Sequence, residues 1–147
     1  MKYYGVFLIF AALMAVCLGG EVRVVDGDTL VVDGARIRIW GIDAPESNQD
    51  GGTEATAALT ELLREREVSI SEVDQDRYKR TVAVIYVDGV DVGREMISRG
   101  FAWHYAKYTH NDAGYAAAQK NAQADRAGIW SKKNPLPPWE WRRMRRW

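Results

Sequence analysis

The chain has 147 residues, of which 47% are apolar and 27% charged; this is typical of one globular domain and excludes a disordered, collagen-like or coiled-coil protein. Its 20 basic and 20 acidic side chains cancel formally, but residues 21–131 are net acidic and residues 132–147 are net basic. This asymmetry indicates a cation site in the acidic part and an anionic partner for the basic end.

The first twenty residues predict an export signal. Lys2 precedes an uncharged run from Tyr3 to Gly20, and small residues end the run, which is the pattern of a secretory signal. We therefore expect a secreted, periplasmic or cell-envelope protein. An uncleaved signal anchor is the alternative, because the run is at the short limit of a membrane span, which takes about 20 residues. Cys17, the only cysteine, lies in the run, so we expect no disulfide or cysteine metal site in the mature domain.

The rest of the chain predicts three strands, a helix, two or three strands and two helices. Residues with strand patterns, separated by Asp-Gly turn signals, are 22–25, 29–32, 35–42, 68–73, 81–87 and 90–92. Helical patterns cover 55–63, 93–99 and 112–127, with Gly100 expected to cap the second helix. Prolines at 135, 137 and 138 are expected to prevent further regular structure. This order predicts an α+β, mainly β protein with a five-stranded OB-fold barrel and three helices.

Carboxylates and arginines collect at the ends of these predicted elements. Asp28 lies in the first hairpin turn, and Asp43 and Glu46 follow the third strand, where their oxygens suit a hard cation. The Asp-Gly-Asp sequence is also, by itself, an ordinary turn. Arg38 lies on the polar face of the third strand and Arg80 begins the fifth, and guanidinium groups match phosphate oxygens. Together these side chains indicate phosphodiester chemistry at a metal.

Five segments resemble, in order, the signature sequences of the staphylococcal-nuclease-like thermonucleases. They are residues 25–30, 36–46, 76–83, 99–103 and 128–131, and together they extend over essentially the whole domain. The resemblance implies an OB-fold nuclease that uses calcium to hydrolyse phosphodiester bonds in DNA and RNA and leaves 3′-phosphate ends.

The resemblance also implies a role for each matched residue. It implies that Asp28, Asp43 and the Ala44 carbonyl are calcium ligands. Glu46 would orient or deprotonate the attacking water, and Arg38 and Arg80 would hold the scissile phosphate. Family members often have threonine at position 44, but a carbonyl ligand does not depend on the side chain. Lys79 stands where the family usually has glycine. If this position has a positive φ, a lysine costs on the order of 1 kcal/mol there, and the placement of Arg80 depends on how the turn accommodates it.

Aromatic residues predict where substrate binds. Tyr78, Tyr105 and Tyr108 lie in regions that border the family's nucleotide pocket, and they are candidates to stack on bases. Residues 132–147 form a Pro-, Trp- and Arg-rich basic tail, whose interleaved aromatics and arginines suit nucleic acid or an anionic membrane. A disordered, solubilising end is the alternative for this tail.

We accordingly predict a signal peptide or anchor over residues 1–20, a nuclease domain over 21–131 and the basic tail over 132–147, in a monomer that acts on DNA, RNA or both. The alternative function is an OB-fold module that binds nucleic acid without cleaving it. Catalysis is favoured because binding alone does not require three converging carboxylates.

Overall fold

The computed structural model describes residues 15–17, for which only the backbone is considered, together with 20–110 and 112–146. The predicted export signal therefore lies largely outside the described residues. Across the described part of the chain, no helix has the length and apolar character needed to cross a membrane.

Nine strands are found among the described residues. They are β1 (Ala15–Cys17), β2 (Val22–Asp26), β3 (Thr29–Val32), β4 (Ala35–Ile39), β5 (Ile42–Asp43), β6 (Val68–Gln75), β7 (Thr81–Val87), β8 (Val90–Asp91) and β9 (Trp103–His104). The main sheet has the order β1-β6-β7-β4-β3-β2, with β8 paired to β7, while β5 and β9 form a separate pair. The predicted α+β fold is confirmed, and within the described residues its sheet is open, since the strand path ends at β1 and β2 without closing a barrel.

The sheet register determines where the charged side chains meet. The antiparallel pairing of β3 with β4 sets Thr29 opposite Arg38, so the preceding Asp28 lies beside that arginine. The parallel pairing of β4 with β7 sets Ile37 opposite Thr81, which brings Arg80 to the same end of the sheet. Two neighbouring central strands that are far apart in sequence thus bring Arg38 and Arg80 to the same region of the sheet.

The helices are α1 (Gly52–Leu63), α2 (Val92–Ser98), α3 (Ala106–Thr109), α4 (Ala113–Ala124) and α5 (Pro138–Met144), with a 3₁₀ turn at Gly128–Ser131. The three predicted helices are α1, α2 and α4. The Asp112 side chain caps α4 by accepting hydrogen bonds from two backbone N–H groups of its first turn. Gly100 follows α2 with φ +74°, the left-handed conformation expected after a helix.

Helix α5 shows that one prediction was wrong: regular structure does continue beyond the prolines. Pro138 occupies the first turn of α5, where a missing N–H removes no helical hydrogen bond and the fixed φ suits the helix. Glu140 in the first turn and Arg142 in the last turn complement the helix dipole. The prolines therefore lead into a helix in this segment.

The core lies between the sheet and helices α1, α2 and α4. Leu30, Ile39, Leu59, Ile85 and Met96 have at most 1% of their surface exposed. Burial of such side chains contributes roughly 1.5–3 kcal/mol each. This packing holds the ends of β3, β4 and β7, from which the charged groups project.

Candidate active site

Asp28 is held at the β2–β3 turn by three different groups. Its Oδ2 accepts a hydrogen bond from the Ala44 backbone N–H at 2.9 Å, and its Oδ1 accepts one from the Thr29 hydroxyl at 2.9 Å. Oδ1 also pairs with Nη1 of Arg38 at 2.9 Å. Since Asp28 is only 6% exposed, these contacts compensate the loss of water around its carboxylate.

Arg38 connects Asp28 to a second carboxylate, Asp43. Its Nη2 donates to the Ile42 carbonyl at 3.1 Å and lies 3.5 Å from Oδ1 of Asp43. Burial of the guanidinium disfavours its charged form, but the negative charges of Asp28 and Asp43 outweigh this and raise the pKa of Arg38 above its usual value. Arg38 therefore remains a cation at any pH of interest.

Asp43 is fully buried at the end of β5, with 0% of its surface exposed. Burial, reinforced by the nearby charge of Asp28, raises the pKa of Asp43, although hydrogen bonds and charge from Arg142 and Arg38 oppose the rise. A carboxylate in this position requires a cation beside it to remain ionised.

Glu46 follows Asp43 in a loop that is attached to the start of α1. Its backbone N–H donates to Oε1 of Gln49 at 3.1 Å, and its carbonyl accepts from the Gln49 backbone N–H at 2.8 Å. The Gln49 carbonyl in turn accepts from the Gly52 N–H at 2.9 Å. A Cβ at Gly52 would lie 1.9 Å from the Glu46 carbonyl oxygen, so this close approach requires glycine.

Arg80 is positioned by Asp76, a role that the sequence patterns did not predict. Oδ1 of Asp76 accepts hydrogen bonds from the backbone N–H groups of Tyr78 at 2.8 Å and Arg80 at 3.0 Å, while Oδ2 accepts from Nε of Arg80 at 2.7 Å. Burial would raise the pKa of Asp76, but these bonds outweigh it and lower that pKa. An aspartate preceding a short turn is the signal that points to such side-chain-to-backbone bonding.

Lys79 adopts the left-handed conformation that was considered for this position because the family usually has glycine there. Its φ is +60°, which for a non-glycine residue costs on the order of 1 kcal/mol. Asp76 nonetheless accepts hydrogen bonds from both the backbone and the side chain of Arg80, and Arg80 lines the same polar cleft as Arg38. The substitution of lysine for glycine has not removed Arg80 from the site.

Arg142 of α5 is a second functional-site residue that the sequence did not reveal. Its Nη1 lies 3.1 Å from Oδ1 of Asp43 and 2.6 Å from Oε1 of Glu46, and its Nη2 lies 2.7 Å from Oδ2 of Asp43. The hydrogen bonds to Asp43 and then Glu46 raise the pKa of Arg142 beyond its usual value despite partial burial. Separations of 99 and 96 residues left no local signal for this contact.

These groups surround one polar cleft with a cavity volume of about 230 Å³. Eight of the nine residues named from the sequence line it: Asp28, Arg38, Ala44, Glu46, Tyr78, Arg80, Tyr105 and Tyr108. The ninth, Asp43, is buried and bound to Arg142 and Arg38. The structure thus brings all nine together. Seven further residues complete the lining: Asp26, Thr29, Pro45, Asp76, Arg77, Arg142 and Arg146.

The three tyrosines differ in how they meet the cleft. Tyr78 is 67% exposed, and the guanidinium carbons of Arg77 and Arg80 lie 5.1 Å and 5.5 Å from its ring centre. The rings of Tyr105 and Tyr108 are 4.9 Å apart. The cleft therefore has aromatic surface next to guanidinium groups, the combination that suits a base beside a phosphate.

The donor chemistry of the site fits a hard cation. Within residues 20–110 and 112–146, no group of three or more His, Cys, Asp or Glu is arranged around a common metal position. Asp43 and Glu46 instead share a guanidinium, which shows that their oxygens converge on a positive charge. Asp28 and Asp43 supply the carboxylate oxygens that calcium prefers.

Comparison with known proteins identifies the family. The sequence profile of the family described as "Staphylococcal nuclease homologue" matches residues 36–132. The chain belongs to this family. The residues matched by the family profile include Arg38, Asp43, Glu46 and Arg80. Asp28 lies before the matched residues and Arg142 lies after them.

Individual relatives agree with this assignment. An "Uncharacterized endonuclease" of Haemophilus influenzae is 38% identical over 128 residues, covering 84% of this chain and 71% of the relative. An "Uncharacterized endonuclease" of Escherichia coli O157:H7 is 36% identical over 149 residues, covering 96% of this chain and 97% of the relative. A "Micrococcal nuclease" of Shigella flexneri is 37% identical over 139 residues, covering 85% and 80%. Similarity thus extends over most of the chain.

Proposed function

We propose that this member of the staphylococcal nuclease family is an exported, calcium-dependent nuclease that hydrolyses phosphodiester bonds in DNA, RNA or both and leaves 3′-phosphate ends. The observation that carries the proposal is the convergence of Arg38, Arg80, Asp28 and Glu46 at one cleft, with the buried Asp43 paired to Arg38. The names of the relatives, endonuclease and micrococcal nuclease, support the same activity. The apolar run after Lys2 supports export.

The carboxylates have separate roles in this proposal. Asp28, Asp43 and the Ala44 carbonyl would hold the calcium ion, which when bound supplies positive charge next to a phosphate oxygen. Glu46 lies on the loop in front of α1 and would orient or deprotonate the attacking water. The hydrogen bonds of this loop to Gln49 hold Glu46 in place before substrate arrives.

The arginines hold the phosphate and stabilise the negative charge that develops during attack. Arg38 is fixed by Asp28, and Arg80 is fixed by Asp76, so neither needs to reorganise when the charge develops. In each, hydrogen-bond donors remain for a phosphate, because a guanidinium carries five N–H groups. Removal of one such donor costs about a hundredfold or more in rate.

Tyrosines and the basic segment would bind the rest of the substrate. Tyr78, Tyr105 and Tyr108 are proposed to stack on bases, which is worth roughly 1–3 kcal/mol per base. Arg146 of the tail lines the same cleft, which favours nucleic acid over a membrane as the partner of this segment. A monomer is sufficient for this arrangement, since all the proposed groups come from one chain.

Cleavage of single-stranded DNA and of RNA, with calcium and with a chelator, tests the proposal. Wild type is compared with Glu46→Gln and Arg80→Ala, and the ends of the products are analysed for 3′-phosphate. We expect calcium-dependent cleavage that falls at least about a hundredfold in both variants. Binding without cleavage by the wild type would instead support the non-catalytic module, and cleavage unaffected by Glu46→Gln would refute the assigned role of Glu46.

A further inference from the structure

The segment 132–146, which we call the C-terminal strap, is attached to the active-site loop at several independent points. Lys132 forms an ion pair with Asp50. The Gln49 side chain donates from Nε2 to the Leu136 carbonyl at 2.7 Å, while its Oε1 accepts from the Glu46 backbone. One buried glutamine therefore joins the strap to the loop that carries Glu46.

Aromatic contacts hold the next part of the strap. The Trp139 ring lies 6.4 Å from the Trp103 ring and 6.1 Å from the Tyr105 ring. The Trp103 contact is edge-to-face, a geometry that contributes about 0.5–1.5 kcal/mol beyond the buried area, while the Tyr105 contact is tilted. Pro137 and Pro138, just before Trp139, reduce the freedom of the unbound segment, so less entropy is lost when it docks. The strap thereby presents α5 to the cleft at a defined position.

Arg142 is the strap residue that enters the acidic site. Its two Nη atoms bind both carboxylate oxygens of Asp43, and Nη1 also binds Glu46. A bidentate guanidinium–carboxylate pair is among the strongest hydrogen-bonded ion pairs in proteins. The fully buried Asp43 thus has its charge balanced mainly by a side chain from the far end of the chain.

Arg142 and a metal cannot use these oxygens in the same way at once. A calcium ligand must direct an oxygen lone pair at the ion from 2.3–2.6 Å, and each Asp43 oxygen already directs one of its lone pairs at Arg142. The guanidinium also places a positive charge within 3.1 Å of each oxygen, where it repels a second cation. Arg38 also places a positive charge near the site, 2.9 Å from Oδ1 of Asp28 and 3.5 Å from Oδ1 of Asp43. It approaches only one oxygen of each carboxylate, whereas Arg142 binds both oxygens of Asp43.

We propose that Arg142 competes with the metal for Asp43 and Glu46 and thereby sets the calcium affinity of the site. This proposal rests on the calcium assignment given under the proposed function. Binding of the ion and docking of Arg142 exclude one another, so each weakens the other by the same factor. Release of Arg142 also frees Glu46 from its ion pair. Loading the metal site therefore undocks α5 from the carboxylates, while the Gln49 contact keeps the strap attached.

Calcium titration of the full chain by calorimetry tests this competition. The variants are Arg142→Gln and, as a matched control on the same helix, Arg143→Gln, because Arg143 is exposed and has no ion-pair partner in the described part of the chain. We expect Arg142→Gln to lower the Kd for calcium about tenfold or more, within the usual range of coupling between sites, and Arg143→Gln to leave it unchanged. An equal or higher Kd in Arg142→Gln would overturn the proposal.

Hydrogen exchange in the wild type gives a second readout that needs no variant. Calcium should raise the exchange of backbone amides in residues 139–144 relative to a chelator, because α5 is released. Unchanged or slower exchange there, with calcium bound, would overturn the proposal even if a variant failed to fold. If neither the wild type nor Arg142→Gln binds calcium by calorimetry, the calcium assignment itself fails and this proposal falls with it. Equal binding by all three proteins would instead refute the competition alone.

Discussion

Replacing Gly52 by alanine tests whether the start of α1 sets the position of Glu46. A Cβ there would lie 1.9 Å from the Glu46 carbonyl oxygen and 3.1 Å from Cα of Ser47. Contacts of a Cβ below 3.0 Å do not occur in real structures, so the loop must move by at least about 1 Å. The atoms in the way are backbone atoms, which cannot turn aside as a flexible side chain does.

Two opposing effects determine the stability of Gly52→Ala. Alanine favours the helix over glycine by about 1 kcal/mol, because it restricts the unfolded chain. Overpacking of this kind costs typically 1–3 kcal/mol. We therefore expect a free energy of unfolding that is unchanged or up to about 2 kcal/mol lower, measured by urea denaturation.

The larger effect should be on catalysis. A misplacement of about 1 Å in a catalytic group costs on the order of a hundredfold in rate. We expect single-turnover cleavage of DNA with saturating calcium to fall by about that factor in Gly52→Ala, while the fold is retained by circular dichroism.

Gly114→Ala in α4 is the matched control. Gly114 also lies in the first turn of a helix, but the nearest atoms to an added Cβ are a side-chain oxygen of Asp112 at 3.2 Å and Arg94 at 3.6 Å. We expect this variant to be as active as the wild type and up to about 1 kcal/mol more stable. Wild-type activity in a folded Gly52→Ala would refute the reasoning that the α1 start positions Glu46.

Three further variants test other parts of the structure. Asp76→Ala should lower the cleavage rate about ten- to a hundredfold, mainly through kcat, because Arg80 loses the carboxylate that orients it; an unchanged kcat would contradict this. Burial, followed by the charge of Asp28, raises the pKa of Asp26 to about 6, so the folded state favours the protonated form of Asp26. The stability that this protonated carboxyl contributes is fully present below pH 4 and is lost as the pH rises through 6. Asp26→Asn should therefore become more stable relative to wild type as urea unfolding in chelator is moved from pH 4 to pH 7, whereas parallel stabilities would refute the shift. Gly100→Ala should lower the free energy of unfolding by at least about 2 kcal/mol, since φ is +74° and the added Cβ would lie 2.1 Å from a carbonyl oxygen. Gly89→Ala, with φ +75° and no atom within 4 Å of the added Cβ, measures the cost of the positive φ alone. Equal losses of stability in thermal unfolding would refute the contribution of the close contact at Gly100.

Local sequence patterns determined most of the elements around the site. Alternating and β-branched runs separated by Asp-Gly turns predict β2, β3 and β4, because short hairpins leave few registers that bury one face. Asp28 and Arg38 lie within this stretch, so their contact follows from the hairpin register. Asp43 lies beyond it in β5, which pairs with the distant β9. The motif that contains Arg80 likewise predicted a residue that lines the cleft, although Lys79 departs from the family.

Interactions between distant segments were decided only by the tertiary structure. The prolines after residue 134 predict an end to regular structure, but whether a proline stops or starts a helix depends on its position, and Pro138 lies in the first turn of α5. That helix in turn carries Arg142 to Asp43 across 99 residues of sequence. Periodicity and turn signals report on neighbours along the chain. A buried carboxylate, however, accepts whichever cation packing brings within hydrogen-bond distance, and here packing brings Arg142.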